Sequence, residues 1–353
     1  MKTTMKKELP NPKEQNIIPP DMDYMYFDGF ESYPLEPEDN GYSPVISWWL
    51  AEAAFLAYTH PGFARMAYKL AGFDRFRFFQ GIGTECMVSW NLNAVIVAFR
   101  GTELKSRSVF HEIHTDLNAR PVPFESGGKV HKGFLKGLEQ IWSGPEGLER
   151  CLKERIQENP ERSLLITGHS MGGALAALCY ARIPEAGSLY IYGSPRIGDS
   201  GFRELFENRS VWRIENARDP VPLVPPDIPL LKFKFEDIGT LKFISREGKV
   251  LNERPVFIMD DQKTRYLEAK SILDRRIKEI DRSMSDDNQS GVKSKRVISR
   301  INKQLQIARE EWKNHLDTFF RDFGLNVDEH QPIFYAVKLW NALIDNSEGM
   351  NHV

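Results

Sequence analysis

The chain has 353 residues, 41% of them hydrophobic, and its 47 Lys and Arg against 49 Asp and Glu leave a formal net charge of −2. That length buries a large core, in one big domain or in one domain with a substantial insertion. The near balance of charge removes the global basic signature of a nucleic-acid-binding or anionic-membrane-binding protein. Three cysteines (Cys86, Cys151 and Cys179) without C-x-x-C spacing point to buried free thiols, not to a zinc site or a disulfide framework.

Residues 1–42 are rich in Pro, Asp and Glu and read as an extended arm over the surface. Their basic start is followed by no apolar signal-peptide core, and no run approaches ~18 uninterrupted apolar residues. The expected location is therefore cytoplasmic, or outside the cell by a route that needs no Sec-type signal. From residue 43 the pattern changes. Ser43-Pro44 suits a helix start, and Ile46, Leu50, Ala54 and Leu56 form an apolar stripe. "CMVSW" and "AVIVAF", separated by "NLN", predict a hairpin feeding a buried strand that ends at Phe99. Residues 131 to about 158 have helical spacing interrupted at "SGPEG".

A regular alternation follows: strand "SLLIT", helix "MGGALAALCYARI", strand "SLYIYG", helix "DSGFRELFE", strand "SVWRIE". It predicts an α/β fold with a mostly parallel sheet covered by helices. A hairpin is expected near "GTLKFISREGKVL". Between about 255 and 325 the chain turns highly charged, with apolar seams at Leu273, Ile277, Ile280 and Met284 and again at Ile298, Ile301, Leu305, Ala308, Trp312 and Phe319. This reads as an antiparallel helical hairpin inserted into the α/β domain of residues 43–353, or as one more pair of packed surface helices. "QPIFYAVKLWNALI" then predicts a closing helix with Pro332 near its start.

Gly168-His169-Ser170-Met171-Gly172 fits G-x-S-x-G, weak alone but placed between an apolar strand and a helix. That is where the strained strand-to-helix turn of a nucleophile elbow belongs, with Ser170 projecting near the helix N-terminus. The alternative is a serine that merely caps the helix, although a plain cap needs no glycine on both sides. A serine nucleophile requires a base and an acid, which on this kind of fold follow in the order Ser, Asp, His. Asp219 ends the strand "SVWRIE" region in an Asp-Pro turn and is the candidate acid. Of the three later histidines, His352 adjoins the end of the chain, His315 falls on the seam of the inserted hairpin, and His330 lies in a loop before the closing helix. His330 is the favoured base, with His315 kept as the alternative. Oxyanion donors are expected from the amides of Met171, after the nucleophile, and Thr102, in the turn "RGTE" after the strand at 94–99.

Five segments in order, "VIVAFRGTE", "VHKGF", "ITGHSMGGALAAL", "LYIYGSPRIGDSGF" and "IENARDPVPLVPP", resemble the class 3 lipases, the fungal-type triacylglycerol lipase family. The resemblance runs from about 43 to 250 and resumes at "EHQPIFY". It implies an α/β-hydrolase fold, a Ser-Asp-His triad with Ser170 as nucleophile and Asp219 as acid, Thr102 as oxyanion residue, and hydrolysis of carboxylic esters of lipids. His131 and Phe134 match a segment that reads as structural. The chain departs from the family pattern in two places: the helical insertion lengthens the stretch between Asp219 and the histidine, and the segment "ELKSRSVFHEIH", where a lid usually follows, is short and charged.

The expected activity is thus that of a serine lipase or esterase acting through an acyl-enzyme, with no cofactor and no metal. A phospholipase A1 or another carboxylesterase shares the same triad. A non-catalytic interaction protein on a lipase scaffold is the reading from a different class. The expected partners are a lipid or small ester and peripheral contact with a lipid interface, with no nucleic acid. The helical insertion is a candidate surface for a dimer or partner contact.

Overall fold

The computed structural model describes residues 5–10, 24–36, 41–102, 121–224, 234–254, 275 and 327–350. The chain divides into two compact units, one of Met1–Pro225, Phe235–Glu253 and Val327–Val353, the other of Pro226–Lys234 and Arg254–Asn326. The second unit holds the expected helical insertion, which lies almost wholly outside the described residues, as do His315 and the segment at 103–114.

In the first unit an eight-stranded sheet runs in the order β1 (Arg75–Gln80), β2 (Glu85–Trp90), β3 (Ala94–Phe99), β6 (Ser163–His169), β7 (Ser188–Tyr192), β8 (Ser210–Asn216), β9 (Thr240–Ile244) and β10 (Val250–Leu251). Strands β3, β6, β7, β8 and β9 pair in parallel, while β1, β2 and β10 add antiparallel edges. β4 (Pro121–Pro123) and β5 (Lys129–His131) form a separate small ribbon. This is the α/β-hydrolase arrangement, as the alternating sequence pattern predicts.

The central strands are apolar on both faces because both are covered. Ile96 and Ala98 of β3, with Tyr190 and Tyr192 of β7, face a layer built by α1 (Pro44–Leu56) and a late helix at Pro332–Met350. Val95, Val97 and Phe99, with Leu189 and Ile191, face the opposite layer of α3 (Lys132–Trp142), α4 (Leu148–Glu158) and α5 (Met171–Arg182). The period-two alternation of a strand sends successive side chains to opposite cores. Helix α1 is buried from Ile46 to Leu56, so it is a core helix, not an amphipathic surface one. Two elements beyond the sequence expectation follow it in this region: α2 (Pro61–Leu70) and the edge strand β1. The remaining α-helices among the described residues are short α6 (Ser200–Glu204) and the late helix, α7 (Pro332–Met350). All three cysteines are free and buried, and burial pushes the Cys86, Cys151 and Cys179 thiols up.

Residues 5–10 and 24–36 of the N-terminal segment pack against the domain. Phe27 is buried, stacking obliquely on Trp49 at 4.9 Å between ring centroids. The Glu52 carboxylate, 0% exposed on α1, accepts from Tyr24 Oη at 2.6 Å, Trp48 Nε1 at 3.1 Å and the Phe27 amide at 3.3 Å. Farther along, Trp340 Nε1 donates to the Met5 carbonyl at 2.9 Å, and Asn341 exchanges two hydrogen bonds with the Lys7 backbone, at 2.8 and 2.9 Å. A buried carboxylate must find donors, and here the arm supplies them. The segment is a strap across α1 and α7.

Candidate active site

The serine sits on a turn that only this sequence pattern allows. Ser170 ends β6 and begins α5 with φ 59° and ψ −131°, a conformation unfavourable for a residue with a β-carbon. Its amide donates to the Tyr192 carbonyl at 2.9 Å, and its own carbonyl accepts from the Gly173 amide at 2.9 Å, which fixes the turn between neighbouring strands and helix. A β-carbon at Gly168 would overlap the Gly172 carbonyl, and one at Gly172 would overlap the Phe99 carbonyl. The flanking glycines are therefore required by close backbone approach. Although Ser170 occupies the N-cap position of α5, its hydroxyl makes no capping hydrogen bond, which removes the plain-cap alternative.

The turn after β3 lies against this elbow. A β-carbon at Gly101 would stand 3.1 Å from Ser170 Cβ, and Thr102 Oγ1 donates to Met171 Sδ at 3.5 Å. Met171 opens α5, so its amide has no acceptor within the helix.

Asp219 and His330 meet 111 residues apart in sequence. His330 Nδ1 lies 2.7 Å from Asp219 Oδ2; a carboxylate only accepts, so Nδ1 carries the proton and Nε2 is left as an acceptor. The same Oδ2 accepts from Tyr335 Oη at 2.5 Å, while Oδ1 accepts from the Val221 amide at 2.8 Å. Burial, followed by the Asp219 charge, holds the Tyr335 phenol well above its ordinary range, so it stays a donor. Gly193 lies beneath this group with φ +53°, where a β-carbon would come within 2.6 Å of Asp219 Oδ2 and 3.0 Å of His330 Nδ1.

The residue before the serine joins the two halves. His169 Nε2 is 2.5 Å from the His330 carbonyl, which accepts, so Nδ1 of His169 is unprotonated and accepts from Tyr58 Oη at 2.8 Å. The two imidazoles lie 4.5 Å apart between centroids. Burial, with His330 as a lesser cause, lowers the pKa of His169 well below the ordinary 6.5 and keeps it neutral. Ser170 is 1% exposed and His330 is 0% exposed. Among the described residues, Ser170 Oγ and His330 Nε2, a donor and an acceptor, both lack a hydrogen-bond partner. Leaving such groups buried and unpaired costs about 1–3 kcal/mol each, which makes the pair a candidate site.

Residues 96–228 match the model of the class 3 lipase family. Over these residues the chain is similar to the class 3 lipases. The matched segment contains Thr102, Ser170, Met171 and Asp219 and stops before His330, so the histidine is located by the fold. The lipase of Rhizomucor miehei is 35% identical over 144 residues, covering 37% of this chain and 38% of the relative. The secreted mono- and diacylglycerol lipase 1 of Fusarium solani is 34% identical over 106 residues, covering 29% and 31%. Phospholipase A1-II 3 of Oryza sativa subsp. indica is 30% identical over 180 residues, covering 41% and 40%. The chain thus spans about two fifths or less of the length of these curated relatives. Among solved structures, the triacylglyceride lipase of Rhizomucor miehei aligns with a TM-score of 0.40 at 29% identity, covering 49% of this chain and 68% of that one. A triacylglycerol lipase whose catalytic centre is described as a serine protease triad aligns at 0.45 and 27% identity, covering 58% and 82%.

His131 is a helix cap: its Nδ1 accepts from the Gly133 amide at 3.0 Å and its ring stacks on Phe134 at 4.2 Å. Of the apolar stretch 221–231, Val221 and Val224 are buried, and residues 225–231 lie outside the described set. Sequence reasoning missed Tyr335, Gly193, Tyr58 and the joining role of His169. The last was legible in part, as a histidine placed at the end of an otherwise apolar strand.

Proposed function

We propose that the protein hydrolyses carboxylic esters of lipids through an acyl-enzyme on Ser170. The observation that carries the reading is the pairing of His330 Nδ1 with Asp219, which leaves Nε2 free to accept a proton, beside a serine held at positive φ with its hydroxyl unpaired. Ser170 Oγ attacks the ester carbonyl while its proton passes to His330 Nε2. Asp219 fixes the tautomer and stabilises the imidazolium that forms. The amides of Thr102 and Met171 receive the oxyanion, a donor of this kind contributing roughly 2.7–4 kcal/mol to the barrier. His330 then returns the proton to the leaving alcohol, and water, activated by the same imidazole, releases the acid and restores Ser170. With both reacting residues buried, an ester reaches Oγ only by displacing what covers the site. The three relatives, two lipases and one phospholipase, are consistent with a glycerolipid as substrate.

A panel of p-nitrophenyl esters from C2 to C16, with a triglyceride and a phosphatidylcholine, tests the reading on wild type and Ser170→Ala. Turnover lost in the variant supports it. Wild-type protein that is folded, inert on the whole panel and unlabelled by a fluorophosphonate overturns it in favour of a non-catalytic scaffold. The rice relative favours a second reading, a phospholipase A1, which release of the sn-1 acyl chain from phosphatidylcholine in preference to triglyceride hydrolysis supports.

A further inference from the structure

His330 belongs to a single 3-10 turn, Val327–His330, so the ladders of sheet and helix do not hold its backbone in place. Besides His169 Nε2 on the His330 carbonyl, a polar cluster around Glu329 and Asn216 holds it. Lys338, one of the buried charged residues at 5% exposure, donates from Nζ to Asn216 Oδ1 at 2.7 Å and lies 3.4 Å from Glu329 Oε2. Arg218 donates to the other oxygen, Glu329 Oε1, at 3.2 Å. Asn216 Nδ2 donates to the Glu329 carbonyl at 3.0 Å, and the Asn216 amide donates to Tyr335 Oη at 3.1 Å. Asn216 is the last residue of β8, three positions before Asp219; Glu329 directly precedes His330. The cluster therefore ties the segment carrying the acid to the segment carrying the base.

A buried ion pair is a poor source of stability, because desolvating its charges offsets most of their attraction. Burial lowers the pKa of Lys338, with the Glu329 charge opposing the shift. Apolar side chains would fill the same volume at least as favourably, so the geometry the cluster imposes is its distinguishing property. We propose that Lys338 and Glu329 are positioning residues for the general base, holding the His330 ring in register with Asp219 and with Ser170. The proposal rests on the reading of Ser170 as nucleophile and His330 as base.

The test uses the full chain as wild type, Lys338→Met, Glu329→Gln and the double variant. It reads kcat and KM on p-nitrophenyl butyrate, the rate of Ser170 labelling by a fluorophosphonate, thermal midpoint, and the downfield proton resonance of His330 Nδ1. Each single variant is expected to lower kcat and the labelling rate about 10- to 100-fold, the scale of a displacement near 1 Å, with KM within about twofold. The Nδ1 resonance broadens with solvent exchange, and Lys338→Arg recovers part of the rate. The double variant, freed of an unpaired buried charge, loses less than the product of the single losses. It also carries the test should Lys338→Met fail to fold. A lowered thermal midpoint with unchanged labelling, kcat and Nδ1 resonance overturns the positioning role and leaves the proposed activity standing. Wild-type protein inert to ester and probe overturns both.

Discussion

The two halves of the candidate site are built by different means. The nucleophile half occupies residues 166–173 and is fixed by steric contact: β6 runs into α5 so tightly that glycine is the one residue the backbone tolerates at 168 and 172. The base half is assembled from segments more than 100 residues apart, through hydrogen bonds of Asp219, Tyr335, Asn216, Glu329 and Lys338. The first half is held by backbone hydrogen bonds and admits no added atoms at 168 or 172. The second admits changes of shape and fails when a partner is lost. His169 belongs to both, sitting in the elbow while its ring holds the His330 carbonyl.

The comparison is sharpest at the reacting groups. Ser170→Ala is expected to lower ester turnover by about 10⁴-fold or more with an unchanged thermal midpoint, checked by single-turnover kinetics and circular dichroism. His330→Ala should match it within tenfold, whereas His315→Ala should keep wild-type turnover; the reverse outcome moves the base to the insertion. Gly172→Ala probes the steric half: the new methyl meets the Phe99 carbonyl, a backbone atom that yields only by shifting β3, and a loss of about 3 kcal/mol in urea unfolding is expected. Tyr335→Phe probes the polar half and should behave oppositely, with a stability loss of only about 1 kcal/mol but a roughly tenfold fall in kcat as Asp219 loses a donor.

The smallest effect concerns the shared residue. His169 has its pKa depressed in the folded protein, so the unfolded chain binds the extra proton first as pH falls. The stability tied to its neutral form is complete above pH 6.5 and declines below it, by up to about 1.4 kcal/mol per pH unit. His169→Gln should flatten that part of the stability profile between pH 6.5 and 5. An unchanged slope would mean the imidazole does not bridge the halves as a neutral donor and acceptor.

What was legible in the sequence follows the same division. The alternation of apolar strands and helices from 94 to 216, and the elbow within it, are local patterns, and they appear at β3, β6, α5, β7 and β8 as expected. Asp219 and His330 were readable as candidates because a triad demands them, yet no local signal shows that Tyr335 serves Asp219 or that Lys338 reaches Asn216. Those contacts depend on the path of α7 across the end of the sheet. The N-terminal segment shows the same limit. Its Pro, Asp and Glu content suggests an extended arm over the surface, and that Tyr24, Phe27 and Tyr33 meet α1 and α7 is revealed only by the folded partners.

That strap also sets a timetable. Lys7 waits 334 residues of synthesis for Asn341, roughly 20–70 s at ordinary ribosomal speed. Throughout that interval α1, buried along most of its length in the folded protein, has part of its final covering missing, with the Trp48 ring still without Trp340. Docking of α7 sets Trp340 on Trp48, holds the strap at Met5 and Lys7, and brings His330 and Tyr335 to Asp219. On the proposed function, the nascent chain thus stays chemically silent until the step that also ends its exposure to aggregation.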